Sequence, residues 1–275
     1  MVEAIYESIN KADCKIHMFV KETRNNTLLI CERFNEEFSS ASLIKVPILM
    51  AVLHFVEQNH RLLQESIRVN DENKVDFSII TEQNLRVSTL YELLVWMIIS
   101  SDNTATNVLI DYIGMNELNN YFQLMGLTQT RLQRKMMDVK QMEQGVDNMT
   151  SARDMEHLFS RIYRQDLLST KYSELAINIL CRQRIQDCLK RYIEDDVRVA
   201  HKTGSLDTVI HDVGIVFNDV SDYLIGIFIT EVKDTDNAKQ LIGRISKEVY
   251  HHLVRRKGGN PQNEGNCKYD DSQFT

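Results

Sequence analysis

Proline is nearly missing from this chain: Pro47 and Pro261 are the only two in 275 residues. That scarcity excludes proline-rich linkers and extended polyproline segments. No basic block stands out and the net charge is −7, so nucleic acid is excluded as an expected partner. The five cysteines, Cys14, Cys31, Cys181, Cys188 and Cys267, are scattered and form no Cys-x-x-Cys pair. They read as reduced thiols, and with no histidine pair beside them neither a metal site nor a cofactor is expected. No apolar run reaches the length of a membrane span; those around Val46–Val56 and Leu93–Ile99 read as core helices. The opening Met1-Val2-Glu3-Ala4-Ile5-Tyr6-Glu7 lacks the basic start and apolar run of a signal peptide. As the chain stands a cytoplasmic location is expected, and a secreted one only if a leader has been trimmed away.

Apolar residues make up 43% and charged residues 26%, an ordinary balance for a globular chain able to bury a large core. Lys15–Lys21 and Thr27–Glu32 read as strands joined by the turn Thr23-Arg24-Asn25-Asn26. Ser42–Gln58 is a strongly apolar helix pattern, with Pro47 an irregularity if the helix starts at Ser42. Helical patterns follow at Thr89–Ser100, Thr104–Tyr112 and Met115–Met125, then at Ser151–Arg164 and Tyr172–Cys181. The stretch Arg134–Met149 has no period and reads as a long loop. Val197–His201, His211–Asn218 and Tyr223–Thr230 read as strands, and Asp236–Arg255 as a final amphipathic helix.

Two strands alone are marginal, so the strands at the two ends must pair with each other. The expected fold is α+β, an α/β/α sandwich: one antiparallel sheet from both termini, with an all-helical subdomain inserted. One domain spans 1–257, its sheet part at about 1–40 and 190–257 and its helical part at about 41–189. Residues 258–275, rich in Gly, Asn and Asp, read as a disordered tail.

Three short elements bring together the residues for chemistry. In Ser42-Leu43-Ile44-Lys45 the serine and lysine stand one helical turn apart, within reach of each other. A desolvated lysine has a lowered pKa and can act as a base. Taken alone the spacing means little, since Ser8-Ile9-Asn10-Lys11 shares it on what reads as an ordinary surface. Ser101-Asp102-Asn103 follows an apolar helix and by itself is as well explained by a helix cap. Lys202-Thr203-Gly204-Ser205 closes a predicted strand: Gly204 permits close backbone approach, while Lys202 and Thr203 offer a cation and a hydroxyl to an anion.

In this order and context the three elements resemble the Ser-x-x-Lys, Ser-Asp-Asn and Lys-Thr-Gly motifs of class A β-lactamases and penicillin-binding proteins. The resemblance runs from about Lys15 to about Arg255. It also takes in Thr81-Glu82, Leu93, the run Asp102–Asn107, and Arg131-Leu132-Gln133-Arg134, which resembles the start of the family's omega loop. It implies a β-lactamase/transpeptidase-like fold and position-by-position roles. Ser42 would attack the carbonyl carbon of an amide or ester, with Lys45 taking its proton. Ser101 would pass a proton to the leaving nitrogen. Asn103 would bind the substrate amide and help hold Lys45. Lys202, Thr203 and Ser205 would receive the substrate carboxylate. The N–H groups of Ser42 and Ser205 would form the oxyanion hole, in which losing a donor costs about 3–4 kcal/mol. Phe77 falls where the family often carries a rim aromatic, though a core role fits equally.

The sequence departs from the family at deacylation. Two residues after the omega-loop arginine, class A β-lactamases carry a water-activating Glu. Here that position is Met136, and Lys140 stands where an Asn is usual. A thioether cannot accept a proton from water. Asp138 is the substitute candidate, against a reading as an exposed carboxylate or a partner of Arg134; Glu143 is weaker. Asp147 or Asn148 is expected to hold the loop against Arg134. His211 reads as structural, and Trp96 and the Met136–Met137 pair read as core. The expected partner is a small molecule, a β-lactam or peptide-like amide, and the expected state a monomer. Three functions compete: a β-lactamase-type hydrolase, a penicillin-binding or D,D-peptidase-like acyl-enzyme former with slow turnover, and a non-catalytic sensing module.

Overall fold

The computed structural model describes residues 1–194 and 196–255. The tail expected at 258–275 lies outside them. In chain order the elements are α1 (Val2–Asn10), β1 (Lys15–Glu22), β2 (Thr27–Glu32), β3 (Glu37–Ser39), α2 (Lys45–Gln58), β4 (Ser66–Arg68), α3 (Ile79–Glu82), β5 (Val87–Thr89), α4 (Leu90–Ile99) and α5 (Asn103–Ile113). They continue with α6 (Met115–Leu124), α7 (Val139–Glu143), β6 (Met149–Ser151), α8 (Ala152–Arg164), α9 (Thr170–Cys181), β7 (Val199–Leu206), β8 (Val209–Val216), β9 (Tyr223–Thr230) and α10 (Thr235–Arg255).

The central sheet runs β2-β1-β9-β8-β7, every pair antiparallel. First and last strands thus meet at its centre, where Lys15 lies opposite Thr230 and Glu22 opposite Tyr223. One face packs Ile16, Met18, Ile227 and Ile229 against Ile5 of α1 and Ile242, Ile245 and Val249 of α10. The other packs Phe19, Val213 and Phe228 onto the large core that α2, α4, α5, α8 and α9 share. The α+β class and the sheet from both termini are as expected.

Three local differences have physical causes. The segment read as one helix from Ser42 is a 3₁₀ turn, Ala41–Ile44, followed by α2 from Lys45. Pro47 therefore sits in the first α-helical turn, where backbone N–H groups lack intrahelical partners and a proline is tolerated. The loop expected over Arg134–Met149 contains the short α7, started by Asp138, whose carboxylate accepts from Gln141 N. Finally, β7 runs on to Leu206, so Lys202-Thr203-Gly204 lies inside the strand rather than at its end. Hydropathy alternation hides this, because six of its eight residues, Lys202 and Thr203 included, are buried.

By length and composition the stretch Ala41–Gln58 is apolar enough to cross a membrane, contrary to the expectation that no run qualifies. Here it is a core helix, 72% buried within the protein. Cys14, Cys181 and Cys188 are free thiols, whereas Cys31 is disulfide-bonded, which departs from a chain of thiols throughout.

Candidate active site

Ser42 occupies the 3₁₀ turn between β3 and α2, and β7 lies directly against that turn. A Cβ on Gly204 would come within 3.2 Å of Ser40 O and 3.3 Å of Ala41 Cβ, tighter than ordinary packing. The glycine therefore serves chain-to-chain approach, setting Lys202 and Thr203 beside the serine turn. Two residues here hold left-handed backbone without being glycine: Ala41 (φ 44°), just before Ser42, and Ser101 (φ 57°). Such conformations cost free energy and persist where surrounding structure enforces them.

Lys45 begins α2, one turn beyond Ser42, and is fully buried. Its Nζ donates to Ser101 O at 2.6 Å, Asn103 Oδ1 at 2.8 Å and Ser101 Oγ at 3.1 Å. Among the described residues no hydrogen bond joins Lys45 to Ser42. Lys202, also fully buried, donates to the same Ser101 Oγ at 3.1 Å and to Thr203 O at 2.8 Å. Burial pushes Lys45 well below the ordinary lysine range; the charge of Lys202 acts in the same direction and Asp102 opposes it. Burial brings Lys202 down to about 7, with Asp212 working the other way. Two buried amines, each lowered from the ordinary lysine range, thus flank one hydroxyl.

The turn carrying Ser101–Asn103 is itself anchored. Asp102 caps α5 through Ala105 N at 2.8 Å, and also accepts from Ser78 Oγ at 2.9 Å and Ile80 N at 3.2 Å. The capping reading of this motif holds, since Asp102 builds the turn, and its neighbours Ser101 and Asn103 reach Lys45. Asn103 Nδ2 donates to Asp76 O at 3.3 Å and its backbone N to Phe77 O at 3.4 Å. Phe77 is therefore next to the cluster, and with 77% of its surface exposed it is not a core residue. Ser205 is exposed and Thr203 nearly buried on the same strand.

The omega-like loop is clamped at several points. Arg134, buried, is held by Asp147 Oδ1 at 2.7 Å and 2.9 Å, so Asp138 is not its partner. Asn148 Oδ1 accepts from Gln133 N at 2.7 Å and Arg134 N at 3.0 Å. Both residues expected to hold the loop do so. Ser39 Oγ also donates to Asp147, and Ser40 N donates to Asn148 O at 2.7 Å, tying the loop to the strand that leads into Ser42. Asn107 grips Met136 from both sides, accepting from its N at 2.8 Å and donating to its O at 3.2 Å. Met136 is buried against the core, while Met137 and Lys140 are exposed.

His211 is structural, its Nε2 2.9 Å from Ser39 O and its ring between Phe38 and Phe228. Trp96 is half-buried, with the Arg184 guanidinium 5.7 Å from its ring centre. Sequence reading missed the grip of Asn107 on Met136 and the buried pair His201–Asp212 behind Lys202, at 2.9 Å. The available signal for that pair was polarity: an ionisable residue on each of two neighbouring, largely buried strands.

The fold and this cluster point to a class, the β-lactamase-like serine hydrolases. The chain belongs to the beta-lactamase enzyme family, whose family model matches residues 1–253. It is 27% identical over 253 residues to the β-lactamase AER-1 of Aeromonas hydrophila, covering 89% of this chain and 83% of that one. It is similar in structure to PBP-A, with a TM-score of 0.84 and 25% identity over 92% of this chain and 95% of that one. A leucine-to-glutamate mutant of PBP-A, solved as an acyl-enzyme complex with penicillin G, matches with a TM-score of 0.83, 25% identity and the same coverage, 92% and 95%.

Proposed function

We propose that the protein forms an acyl-enzyme on Ser42 with β-lactams or related peptide-like amides, and releases the acyl group slowly. The observation that carries the first half is Ser101 Oγ held at 3.1 Å by two buried lysine amines. In the proposed step Lys45 takes the proton of Ser42 Oγ, which bonds to the carbonyl carbon. The carbon–nitrogen bond then breaks, and the nitrogen receives a proton through Ser101, which Lys45 and Lys202 can resupply. Lys202, Thr203 and Ser205 receive the substrate carboxylate, Asn103 its amide, and Phe77 the face of its ring. Retention of the whole cluster argues against a sensing module without chemistry.

Slow release follows from Met136. Water attacking the Ser42 ester must give up a proton, and the residue whose backbone Asn107 grips at that place carries a thioether. We read Asp138 as the cap of α7 rather than as the substitute base, since its Oδ1 accepts from Gln141 N at 3.2 Å. The similarity to PBP-A, for whose mutant an acyl-enzyme with penicillin G is on record, supports a penicillin-binding reading over rapid hydrolysis. Intact mass followed over time after mixing with penicillin G tests both halves. The expected result is one stoichiometric, persistent adduct that Ser42→Ala abolishes. Unchanged labelling of Ser42→Ala overturns the nucleophile, and rapid multiple turnover overturns the slow release.

A further inference from the structure

The chain holds a second serine–lysine spacing that the acylating cluster does not use, Ser8-Ile9-Asn10-Lys11 at the end of α1. It lacks the geometry of a nucleophile and base. Ser8 Oγ donates to Ala4 O at 2.9 Å within its own helix, and Lys11 Nζ lies 3.4 Å from Glu7 Oε2 on an exposed face. Both residues nevertheless line one cleft of about 410 Å³, walled by the end of α1, the α1–β1 and β9–α10 connections and the first half of α10. That volume lies within the range of sites that hold small molecules, about 300–1,000 Å³. Small side chains leave the room: Ala12 and Ala238 both face the cleft, where larger apolar residues would close it. The cleft is remote from Ser42. Its floor belongs to the layer between the sheet and the terminal helices, whereas Leu43 and Ile44 of the serine turn pack into the core on the other face.

The lining is divided between an apolar floor and a charged rim. Val232 and Ala238 are buried, with Ala12, Cys14 and Leu241 half-buried beside them. Around this floor three cations, Lys11, Lys233 and Arg244, stand against two carboxylates, Asp13 and Asp234, on a chain whose net charge is −7. Asp13 and Lys233 pair at 2.8 Å. Asp234 is engaged in starting α10, its Oδ1 accepting from Asp236 N at 3.0 Å and Asn237 N at 3.1 Å. Lys11 has Glu7. Arg244 differs from all of these: among the described residues it has no carboxylate partner, and its printed bond runs to the uncharged Gln240 Oε1 at 3.4 Å. A guanidinium offers a planar fork of donors that matches a carboxylate.

We propose that this cleft is a binding site for a small anionic amphiphile of the alkyl carboxylate class, its apolar body over Ala12, Ala238 and Leu241 and its carboxylate at Arg244. One anionic head is what the rim accommodates. Lys11 and Lys233 already have partners, and a second anion would meet Asp13 or Asp234. An uncharged ligand would leave Arg244 unpaired, and a wholly polar one would gain nothing from the floor. The site stands apart from the Ser42 reading, because no group of the acylating cluster lines it. Cys14 supplies a reporter rather than a binding group: its free thiol lies in the floor. Cys181 is also free and half-buried but does not line the cleft, so it serves as the internal reference. Burial and the neighbouring Asp13 raise the Cys14 thiol, so it is labelled at alkaline pH, where thiolate forms.

The test is alkylation of the full chain by N-ethylmaleimide in the presence of decanoate, with decyltrimethylammonium, which has the same tail and the opposite charge, as the control. Peptide mass spectrometry reads Cys14 and Cys181 separately. Decanoate should slow the labelling of Cys14 saturably, with a midpoint below about 1 mM, the range of a weak small-ligand site, and leave Cys181 unchanged. Decyltrimethylammonium at the same concentrations should protect neither. Arg244→Gln keeps a hydrogen-bond donor but removes the charge, and should raise the decanoate midpoint about tenfold, the usual size of a charge-assisted hydrogen bond. Ala238→Leu fills the floor and should abolish protection. If that variant does not fold, Arg244→Gln still decides the matter, because Arg244 is exposed and its replacement disturbs no core packing. Absence of protection, equal protection of Cys14 and Cys181, protection by both amphiphiles, or an unmoved midpoint in Arg244→Gln each overturns the site. Acylation of Ser42 enters none of these readings, so its failure would leave this result standing.

Discussion

Lys45 and Lys202 converge on one oxygen: from α2 and β7 respectively, each places its Nζ 3.1 Å from Ser101 Oγ. Two like charges so placed disfavour each other, and burial disfavours both. Each amine is therefore disposed to give up its proton more readily than an exposed lysine. That makes the site able to take a proton at one end and deliver one at the other. Among the described residues, the hydroxyl between them is the one group to which both lysines hydrogen-bond.

Lys45→Ala should slow acylation by penicillin G about 10²–10⁴-fold, the usual worth of a general base. Thermal stability should not fall in proportion, since a fully buried amine is removed along with its hydrogen bonds. Stopped-flow acylation beside a melting curve checks both; a rate within threefold of wild type removes Lys45 from the proton path.

Met136→Glu should convert a persistent adduct into measurable turnover. Asn107 fixes the backbone of residue 136 through both N and O, so a carboxylate introduced there starts from a defined position. A gain in the deacylation rate of about 10²-fold or more is expected. The melting temperature should drop, because the side chain at this position is buried in the core. Mass spectra that show the adduct persisting in a folded Met136→Glu would mean that the loop does not present this residue to the ester.

Asp147→Ala should loosen the omega-like loop. It strips Arg134, only 5% exposed, of its ion pair, and Ser39 and Asn148 N of an acceptor. Breaking a buried pair by removing one partner costs about 3–5 kcal/mol; with Asp147 partly open to water, about 2–3 kcal/mol is expected. Urea unfolding measures the loss, and faster proteolysis within residues 135–146 would locate it. Stability within 0.5 kcal/mol of wild type, roughly the spread of neutral surface changes, contradicts the clamp.

Acid should weaken the fold through His211. Burial lowers this imidazole to about 4, against about 6.5 in an unfolded chain. Between those values the unfolded chain binds a proton that the folded one refuses. The stability present above about pH 6.5 is therefore lost as pH falls through about 4, to the extent of about 3 kcal/mol. Burial lowers His17 as well, which acts in the same direction. Urea midpoints at pH 7 and pH 4.5 should differ less in His211→Gln than in wild type; an equal difference would place the acid sensitivity elsewhere.

The sequence by itself determined the strands that meet at the sheet centre, most of the longer helices, and the short motifs around Ser42, Ser101 and Lys202. Those follow from local rules: apolar period, turn residues, and side-chain spacing within one helical turn. It also exposed the missing carboxylate at Met136, because that is a matter of side-chain chemistry alone. Tertiary structure decided the rest. That Ser101 Oγ stands between two amines depends on three elements, more than fifty residues apart in sequence for Lys45 and Ser101 and more than a hundred for Ser101 and Lys202. Asp138 as a helix cap, Gly204 as a packing contact for the serine turn, and the buried His201–Asp212 contact depend on strand register and loop folding. Local spacing carries no record of them, because what fixes each is a neighbour supplied by a distant part of the chain.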